Sequence, residues 1–307
     1  MLSALLPLIC GLLLTPQQAQ AEPFIQIGIW YAGGQARPPD AGLTDLEIVR
    51  SELTLIRRAG FNSIITWINW QEAEPKRGTY ALAAIERLIA AAAQNDLKVD
   101  VRLFTDKAPA WSTAVSADRD RFASYAASRL RLGVQVLSVQ TADSGAGSAQ
   151  VIRVGTNART PIEARVDFWA AIARGAQRVT FLDVAGGAGP AVLSLGETVG
   201  IVTRNQALFA PLRARKDGIR EVVGGGGAPV EVKLLESPEA LLIVGINYSP
   251  SVQKVTINFT PDMPEAIWQN LETGTAVNFV MGRGGPFLEH TFAPRDTLVL
   301  MIRKKLR

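Results

Sequence analysis

The chain has 307 residues, of which 48% are hydrophobic and 20% charged, and its formal net charge is +4. A chain of this length and composition can bury a large core, which excludes an intrinsically disordered protein. Basic and acidic residues alternate throughout and form no basic run before the last few residues. This charge pattern argues against nucleic acid as a partner.

The first 21 residues predict an export signal. An apolar stretch from Leu2 to Leu14 is followed by a polar region and by the small-x-small pattern Ala19-Gln20-Ala21. The stretch is too short to span a bilayer, so no stable membrane span is expected after cleavage. We therefore expect a periplasmic or secreted protein. Cys10, the only cysteine, lies within the signal, and the alternative interpretation of "LPLIC" is a lipoprotein attachment site.

Strands and helices alternate from residue 24 to about residue 223. Thr44 with Glu47 and Thr160 with Glu163 have the spacing of capping boxes, which mark helix starts. The predicted strands are 24–30, 63–67, 98–104, 134–139, 150–154 and 178–184, and the predicted helices are 44–59, 82–93, 121–132 and 160–174. This alternation is typical of parallel strands covered by helices, an α/β fold.

The length of this segment predicts a reduced (β/α) barrel of the TIM type over residues 22–223. A complete barrel usually needs ~250 residues. Between the fourth and fifth strands lies only "QTADSGAGSA", which is too short for a helical crossover. We therefore expect six or seven strands instead of eight.

The pattern changes after the glycine run "GGGGAP" at residues 224–229, which we interpret as a flexible joint. Beyond it, apolar residues alternate with polar ones in segments such as "VEVKLLES" and "ALLIVGINYS". Period-two segments separated by Pro, Gly, Asn and Asp turns predict a small antiparallel β domain over residues 228–307.

Aromatic, acidic and amide side chains follow the predicted parallel strands. In such folds the working residues lie at the carboxyl ends of the strands. Aromatic faces with carboxylates and amides between them suit a carbohydrate, whose C–H faces stack on rings while its hydroxyls need hydrogen bonds. The predicted carbohydrate-binding residues are Trp30, Trp67, Asn69, Trp70, Glu72, Glu74 and Trp111. The alternative is that the tryptophans belong to the core and the acids are solvated.

Other chemistries have little support in the sequence. His290 is the only histidine and lies in the β domain, so neither a histidine-based triad nor a histidine metal cluster is expected. The glycine-rich stretch from Gly186 lacks the GxGxxG spacing of a phosphate-binding turn and is interpreted as a loop. We expect no cofactor and no metal.

Two segments resemble the β-galactosidase-type (β/α)8 glycoside hydrolases of family 42. "IRRAGFNSIITWINWQEAEPKRGTY", followed by "LKVDVRLFTDKAPAW", resembles the second strand, its loop and the third strand of that family. "RTPIEARVDFWAAIARGAQRVTFLD" is similar to the family's late helix and final strand. The resemblance implies a barrel that hydrolyses β-glycosides, with a small β domain at the end of the chain.

The sequence departs from this family at the catalytic positions. The family implies a glutamate after the fourth strand and another after the seventh, but the corresponding segments here read "VQTADSG" and "RVGTN". The nearest carboxylates give Asp143 as the acid and Asp183 or Asp106 as its partner. The alternative is a carbohydrate-binding or scaffold protein without catalysis. The sequence predicts neither the sugar nor the oligomeric state.

Overall fold

The structure is a computed structural model that describes residues 24–39, 42, 45–133, 135–142, 149–224, 230–264 and 266–304. The predicted signal at residues 1–21, the candidate acid Asp143 and the glycines at 225–227 lie outside the described residues. No helix of the described part is long and apolar enough to cross a membrane.

Six parallel strands form the first sheet, which confirms the predicted α/β class. The sheet order is β4-β3-β2-β1-β6-β5, and each neighbouring pair is parallel. Among the described strands β4 and β5 are not paired with each other, so the described residues do not close this sheet into a complete barrel. The strands are β1 (Gln26–Trp30), β2 (Ser63–Asn69), β3 (Lys98–Phe104), β4 (Val136–Thr141), β5 (Ala149–Val154) and β6 (Arg178–Asp183).

The short connection between the two edge strands forces this sheet to curl. In a flat sheet the end of β4 and the start of β5 would lie ~24 Å apart across the strands and ~20 Å apart along them. Eight residues of extended chain reach only ~27 Å, less than that diagonal. The sheet therefore curves, with helices on its outer face and a concave inner face.

Helices cover the outer face of the sheet. The predicted capping box of α5 is present, because Thr160 Oγ1 accepts from the Glu163 amide at 3.3 Å and Glu163 accepts from the Thr160 amide at 3.1 Å. At α1 the cap is Asp45 instead of the predicted Thr44; its carboxylate accepts from the Glu47 amide at 2.8 Å. The helices are α1 (Leu46–Arg58), α2 (Trp70–Ala73), α3 (Ala83–Gln94), α4 (Val115–Leu130), α5 (Pro161–Ala173), α6 (Pro190–Leu193), α7 (Gly196–Thr203) and α8 (Gln206–Phe209).

Alternation along β3 separates an apolar outer face from a polar inner face. Val99, Val101 and Leu103 belong to the large buried cluster under the helices. Asp100 and Arg102 point to the other side, as the period of two requires. Their side chains form a salt bridge of 2.8 Å and are 1% and 8% exposed. The inner face thus holds a buried, paired charge.

Ten strands form the C-terminal antiparallel part, which we call the β module. They make two sheets of order β13-β12-β16-β10-β9-β7 and β14-β15-β11-β8. The strands are β7 (Arg213–Arg215), β8 (Ile219–Gly224), β9 (Glu231–Glu236), β10 (Ala240–Asn247), β11 (Gln253–Phe259), β12 (Trp268–Asn270), β13 (Ala276–Val277), β14 (Val280–Gly282), β15 (Gly285–Phe292) and β16 (Asp296–Arg303).

The β module begins earlier in the chain than predicted. β7 pairs with β9 and β8 pairs with β11, so residues 213–224 belong to this module and not to the α/β part. The boundary predicted at residue 223 is therefore about ten residues too late. The glycine run consequently falls between two strands of the module in sequence, and not between the two parts.

The α/β part and the β module share one buried core through α5. Leu242, Val244 and Met301 of the module belong to the same apolar cluster as Trp169 of α5. The indole N–H of Trp169 also donates to Glu272 Oε1 at 2.9 Å. This packing joins the two parts by both apolar and polar contacts.

Candidate functional site

A polar cavity opens at the carboxyl ends of β2 and β3. Its volume is about 190 Å³. Glu72, Asp106 and Lys107 are exposed residues of its lining, and Asn69, the last residue of β2, also lines it. Pro39, Gln71, Phe104 and Trp70 complete the wall. Four of the predicted site residues, Asn69, Trp70, Glu72 and Asp106, therefore line one space.

Two tryptophans lie beside this cavity on the inner face of the sheet. The rings of Trp30 and Trp67, from neighbouring strands, have centroids 5.8 Å apart and are tilted by 49°. Trp67 is 6% exposed, whereas Trp30 is half-buried. Both pack in a small cluster with Phe104, which also lines the polar cavity. The aromatic pair thus adjoins the polar cavity through Phe104.

A second, apolar cavity of about 180 Å³ lies at the carboxyl end of β2, against the first turns of α3, and Trp67 of the aromatic pair is part of its lining. Ile68, Leu82, Ile85 and Leu88 form much of its wall. Asn69 and Glu72 line both cavities. The apolar and polar cavities therefore meet at these two residues.

Trp70 and Glu74 are both wholly buried. The indole N–H of Trp70 donates to Glu74 Oε2 at 3.0 Å, and the Glu74 carboxylate also accepts from the Gly78 amide at 2.8 Å and from Arg121 at 2.7 Å. These bonds tie α2, the turn after it and α4 together. Trp70 borders the polar cavity but has no exposed surface, so it supports the wall from behind.

Trp111 belongs to the same structural network and lines neither cavity. Its indole N–H donates to the backbone carbonyl of Glu74 at 2.7 Å, and its ring meets Trp70 edge-on at 6.2 Å. The Arg121 guanidinium lies 5.5 Å from the centre of the Trp111 ring. Of the seven predicted binding residues, Trp67, Asn69, Trp70 and Glu72 line one or both of the cavities. Trp30 packs against Trp67, whereas Glu74 and Trp111 hold the loops in place.

Asp118 of α4 completes this network. Burial would raise the pKa of its carboxyl, but hydrogen bonds from Ser112 at 3.0 Å and Arg121 at 2.7 Å, with the charge of Arg77, hold that pKa below its usual range. Asp118 is therefore a carboxylate whose charge is stabilised by the folded state.

Asp183, a candidate catalytic residue, does not face the cavities. It shares the outer face of β6 with Val179 and Phe181, which lie in the core under the helices. Asp183 is 3% exposed, and its Oδ1 accepts from the Ala185 amide at 2.8 Å. A Cβ at Gly189 would lie 2.0 Å from its Oδ2. The position of Asp183 fits a role in holding the turn after β6.

Several buried polar groups carry little signal in the sequence. Asp100 and Arg102 are an ion pair whose only sequence signal is two charges, two residues apart, in an otherwise apolar strand. Thr66 is 0% exposed, lines the apolar cavity, and its Oγ1 has no hydrogen-bond partner within the described residues. In the described part of the chain no three His, Cys, Asp or Glu side chains group to hold a metal ion.

Comparison with known proteins supports the class suggested by this geometry. A family model described as Beta-galactosidase, glycoside hydrolase family 42, matches residues 40–129, less than a third of the chain. No curated protein sequence shows a significant match.

Several solved glycosidases resemble the whole structure. A family 39 glycoside hydrolase from Bacteroides cellulosilyticus WH2 aligns with 92% of this chain and 81% of its own, with TM-score 0.58 and 11% identity. An alpha-amylase from Geobacillus thermoleovorans aligns over 92% and 99%, with TM-score 0.57 and 10% identity. Alpha-galactosidase I from Mortierella vinacea aligns over 92% and 98%, with TM-score 0.52 and 11% identity.

At these identities the likeness shows the fold alone. The chain therefore has a glycoside-hydrolase-like α/β fold with an antiparallel module. The three enzymes are named for different activities, so the comparison does not indicate which sugar this protein would bind.

Proposed function

We propose that the protein is an exported glycoside-hydrolase-like protein that binds a carbohydrate at the polar cavity and hydrolyses β-glycosidic bonds. The observation that carries this proposal is that two exposed carboxylates, Glu72 and Asp106, line one cavity of about 190 Å³. Asn69 and Lys107 supply hydrogen-bonding groups to the same cavity. The neighbouring Trp30–Trp67 pair offers the aromatic surface on which a sugar ring stacks.

The proposed chemistry uses two carboxyl groups, one to protonate the departing oxygen and one to act as nucleophile or to activate water. Asp143, which follows β4, is the proposed acid, and Asp106, which follows the neighbouring strand β3, is the proposed second carboxylate. Glu72 is the proposed ligand for sugar hydroxyls, because it stands across the same cavity. The proposed pair leaves out Asp183, because its carboxylate is buried and accepts a hydrogen bond from the Ala185 amide.

A second candidate function is carbohydrate binding without catalysis. The segments after β4 and β5 carry no glutamate, and Thr156 and Asn157 occupy the place after β5. A chain that has lost its catalytic pair but kept its aromatic wall would still bind sugars.

One experiment separates the two functions. Hydrolysis is measured on a panel of aryl β-glycosides, and binding of the corresponding methyl glycosides is measured by calorimetry. The hydrolase proposal predicts that Asp106→Asn and Asp143→Asn each lower the rate by about a hundredfold or more while binding persists. Asp183→Asn is the control and should keep catalysis wherever the fold survives. Binding without hydrolysis would leave the second function, and neither binding nor hydrolysis would remove both.

Export is proposed from the sequence of residues 1–21. Cleavage after Ala21 would leave Glu22 at the new amino terminus. Amino-terminal sequencing of the protein recovered from the cell exterior or periplasm tests this. A mature protein that starts at Met1 contradicts cleavage, and one that starts at a lipid-modified Cys10 supports the lipoprotein alternative.

A further inference from the structure

We propose that Gln140 donates a hydrogen bond to a hydroxyl group of the carbohydrate and that Arg102 positions Gln140 for this contact. The site would then extend from the polar cavity along the concave inner face of the sheet. This inference rests on the proposed function, because it adds one specificity-determining residue and one positioning residue to the same site. Both residues lie within strands, β3 and β4, and not in the loops that follow them.

Three neighbouring strands place Trp67, Arg102 and Gln140 in one row on the inner face. In the sheet register Arg102 of β3 is paired with Trp67 of β2 on one side and with Gln140 of β4 on the other. Paired residues of adjacent strands point to the same face, and neighbouring strands lie ~4.8 Å apart. The aromatic ring and the amide therefore stand on either side of Arg102.

This row adjoins the polar cavity. Phe104, which lines that cavity, lies two residues after Arg102 on the same face of β3. At one end of the row the half-buried ring of Trp30 packs against Trp67. A carbohydrate that extends from the polar cavity past Phe104 would therefore have the aromatic pair on one side and Gln140 on the other.

Arg102 determines which end of the Gln140 amide faces a ligand. Arg102 Nη1 donates to Gln140 Oε1 at 3.2 Å. Because an arginine has only donors, the amide oxygen must face the guanidinium and the amide nitrogen must point away from it. Gln140 is half-buried, and its Nε2 has no hydrogen-bond partner in the described part of the chain and is not a fully buried atom. Its N–H groups can therefore donate to a ligand on the inner face.

A buried ion pair holds Arg102 in turn. Arg102 Nη2 donates to Asp100 Oδ2 at 2.8 Å, and Ser138 Oγ donates to Asp100 Oδ1. Replacing a buried ion pair by well-packed apolar residues of similar volume is often neutral or stabilising. Apolar residues could thus fill this part of the inner face equally well. They could not direct the Gln140 amide, which is the role that we assign to the pair.

Calorimetric titration of the full-length protein with the tightest-binding disaccharide methyl glycoside and with its monodeoxy analogues tests the contact. Gln140→Met keeps the length of the side chain and removes the amide. We expect it to weaken binding of the parent glycoside by about five- to tenfold, the effect of losing one hydrogen bond. For one analogue, the one that lacks the contacted hydroxyl, wild type and variant should bind equally well, because neither complex contains the contact.

Gln150→Met is the matched control. Gln150 is an exposed glutamine of β5 in the same sheet. It is paired with Val179, whose side chain lies in the core under the helices, so it points to the outer face. This variant should bind the parent glycoside and every analogue as the wild type does.

The double variant Asp100→Leu/Arg102→Met tests the positioning role. Its melting temperature should stay close to that of the wild type, whereas its affinity should fall by about the same factor as that of Gln140→Met. Adding Gln140→Met to it should cost no further affinity, because the amide is already released. If the double variant does not fold, Arg102→Lys replaces it in the same comparison, since lysine keeps the charge beside Asp100 but loses the forked donor geometry.

Two results for Gln140→Met would overturn the contact and leave the proposed function in place: unchanged binding of the parent glycoside, or an equal loss for the parent and all analogues, which indicates a structural effect. Losses that add up when Gln140→Met is combined with the Arg102 variants would overturn the positioning role. A wild type that binds no glycoside would remove the proposed function and this inference with it.

Discussion

The indole N–H of Trp70 donates a 3.0 Å hydrogen bond to the carboxylate of Glu74, and neither side chain has any exposed surface. The two residues are one turn apart, and Arg121 of α4 binds the same carboxylate at 2.7 Å. A tryptophan and a glutamate that follow a strand of the parallel sheet therefore support the loop from within the core. In the loop after β2, the residues that stabilise the fold are therefore different from the residues that could bind a ligand.

Replacing Trp70 by alanine should lower the free energy of unfolding by about 3–5 kcal/mol, the usual cost of removing a large buried aromatic side chain. The measurement is urea denaturation followed by circular dichroism. Glu72→Ala is the control two residues away; because Glu72 is exposed, its effect on unfolding should be within about 0.5 kcal/mol. A Trp70→Ala protein of wild-type stability would show that Trp70 is not part of the core.

The strands and helices were predictable because each carries its own local signal. Along β3, apolar residues that point outward alternate with polar ones. Helix α5 has its capping box, and glycines follow the helix ends. The local sequence pattern therefore agrees with the overall fold. The start of α4 was predicted six residues late, at Arg121 instead of Val115. The polar segment "VSADRD" has little apolar periodicity, and contacts of Asp118 with Arg77 and Arg121 support it instead.

Replacing Trp30 by alanine should weaken carbohydrate binding by about five- to tenfold, because aromatic stacking contributes on the order of 1 kcal/mol beyond the buried area. Trp30 is half-buried on the inner face beside Trp67. Calorimetric titration with the tightest-binding glycoside is the measurement. Tyr125→Ala removes an exposed aromatic ring of α4 that stacks on Tyr80 and not on the Trp30–Trp67 pair, so this variant should bind like the wild type. Equal losses in both variants would argue against a specific role for Trp30.

The pH dependence of stability should differ between the wild type and Asp118→Asn. The folded-state pKa of Asp118 is lowered, so its stabilising contribution is present above the pKa of the unfolded state, about 4, and is lost as pH falls through the folded value. The variant should therefore melt at a lower temperature than the wild type at pH 7, and the gap should narrow as the pH falls below about 4.

Thermal scans between pH 7 and pH 3 provide the measurement for this prediction. Asp120→Asn is the control, since Asp120 is 69% exposed and pairs only with the neighbouring Arg119 at 3.3 Å in the described structure. Its melting temperature should follow that of the wild type at every pH. A constant gap for Asp118→Asn across the acid range would mean that its charge does not contribute.

The candidate site was less predictable than the fold, because a strand end fixes the position of a residue but not the direction of its side chain. Trp70, Glu74 and Asp183 follow strands as expected, yet the short helix α2 and the turn after β6 direct them inward or toward the helices. Conversely, Thr66 reads as an ordinary strand residue, and only the packing of α3 shows the cavity beside it. Tertiary contacts decide these directions.

Limited proteolysis tests whether the α/β part and the β module are separable domains. The sequence predicts that cutting near residues 224–227 releases a compact unit, but β7 and β8 precede this run and pair with strands that follow it. In addition, Trp169 of α5 shares a buried cluster with Leu242 and Val244. We therefore expect a chain cut at the glycine run to stay together under native conditions and to melt in one transition.

Gel filtration of the nicked protein, with a denatured sample as control, measures whether the two pieces stay together. Elution of two separate folded fragments would show instead that the contacts of α5 are too weak to hold the parts together.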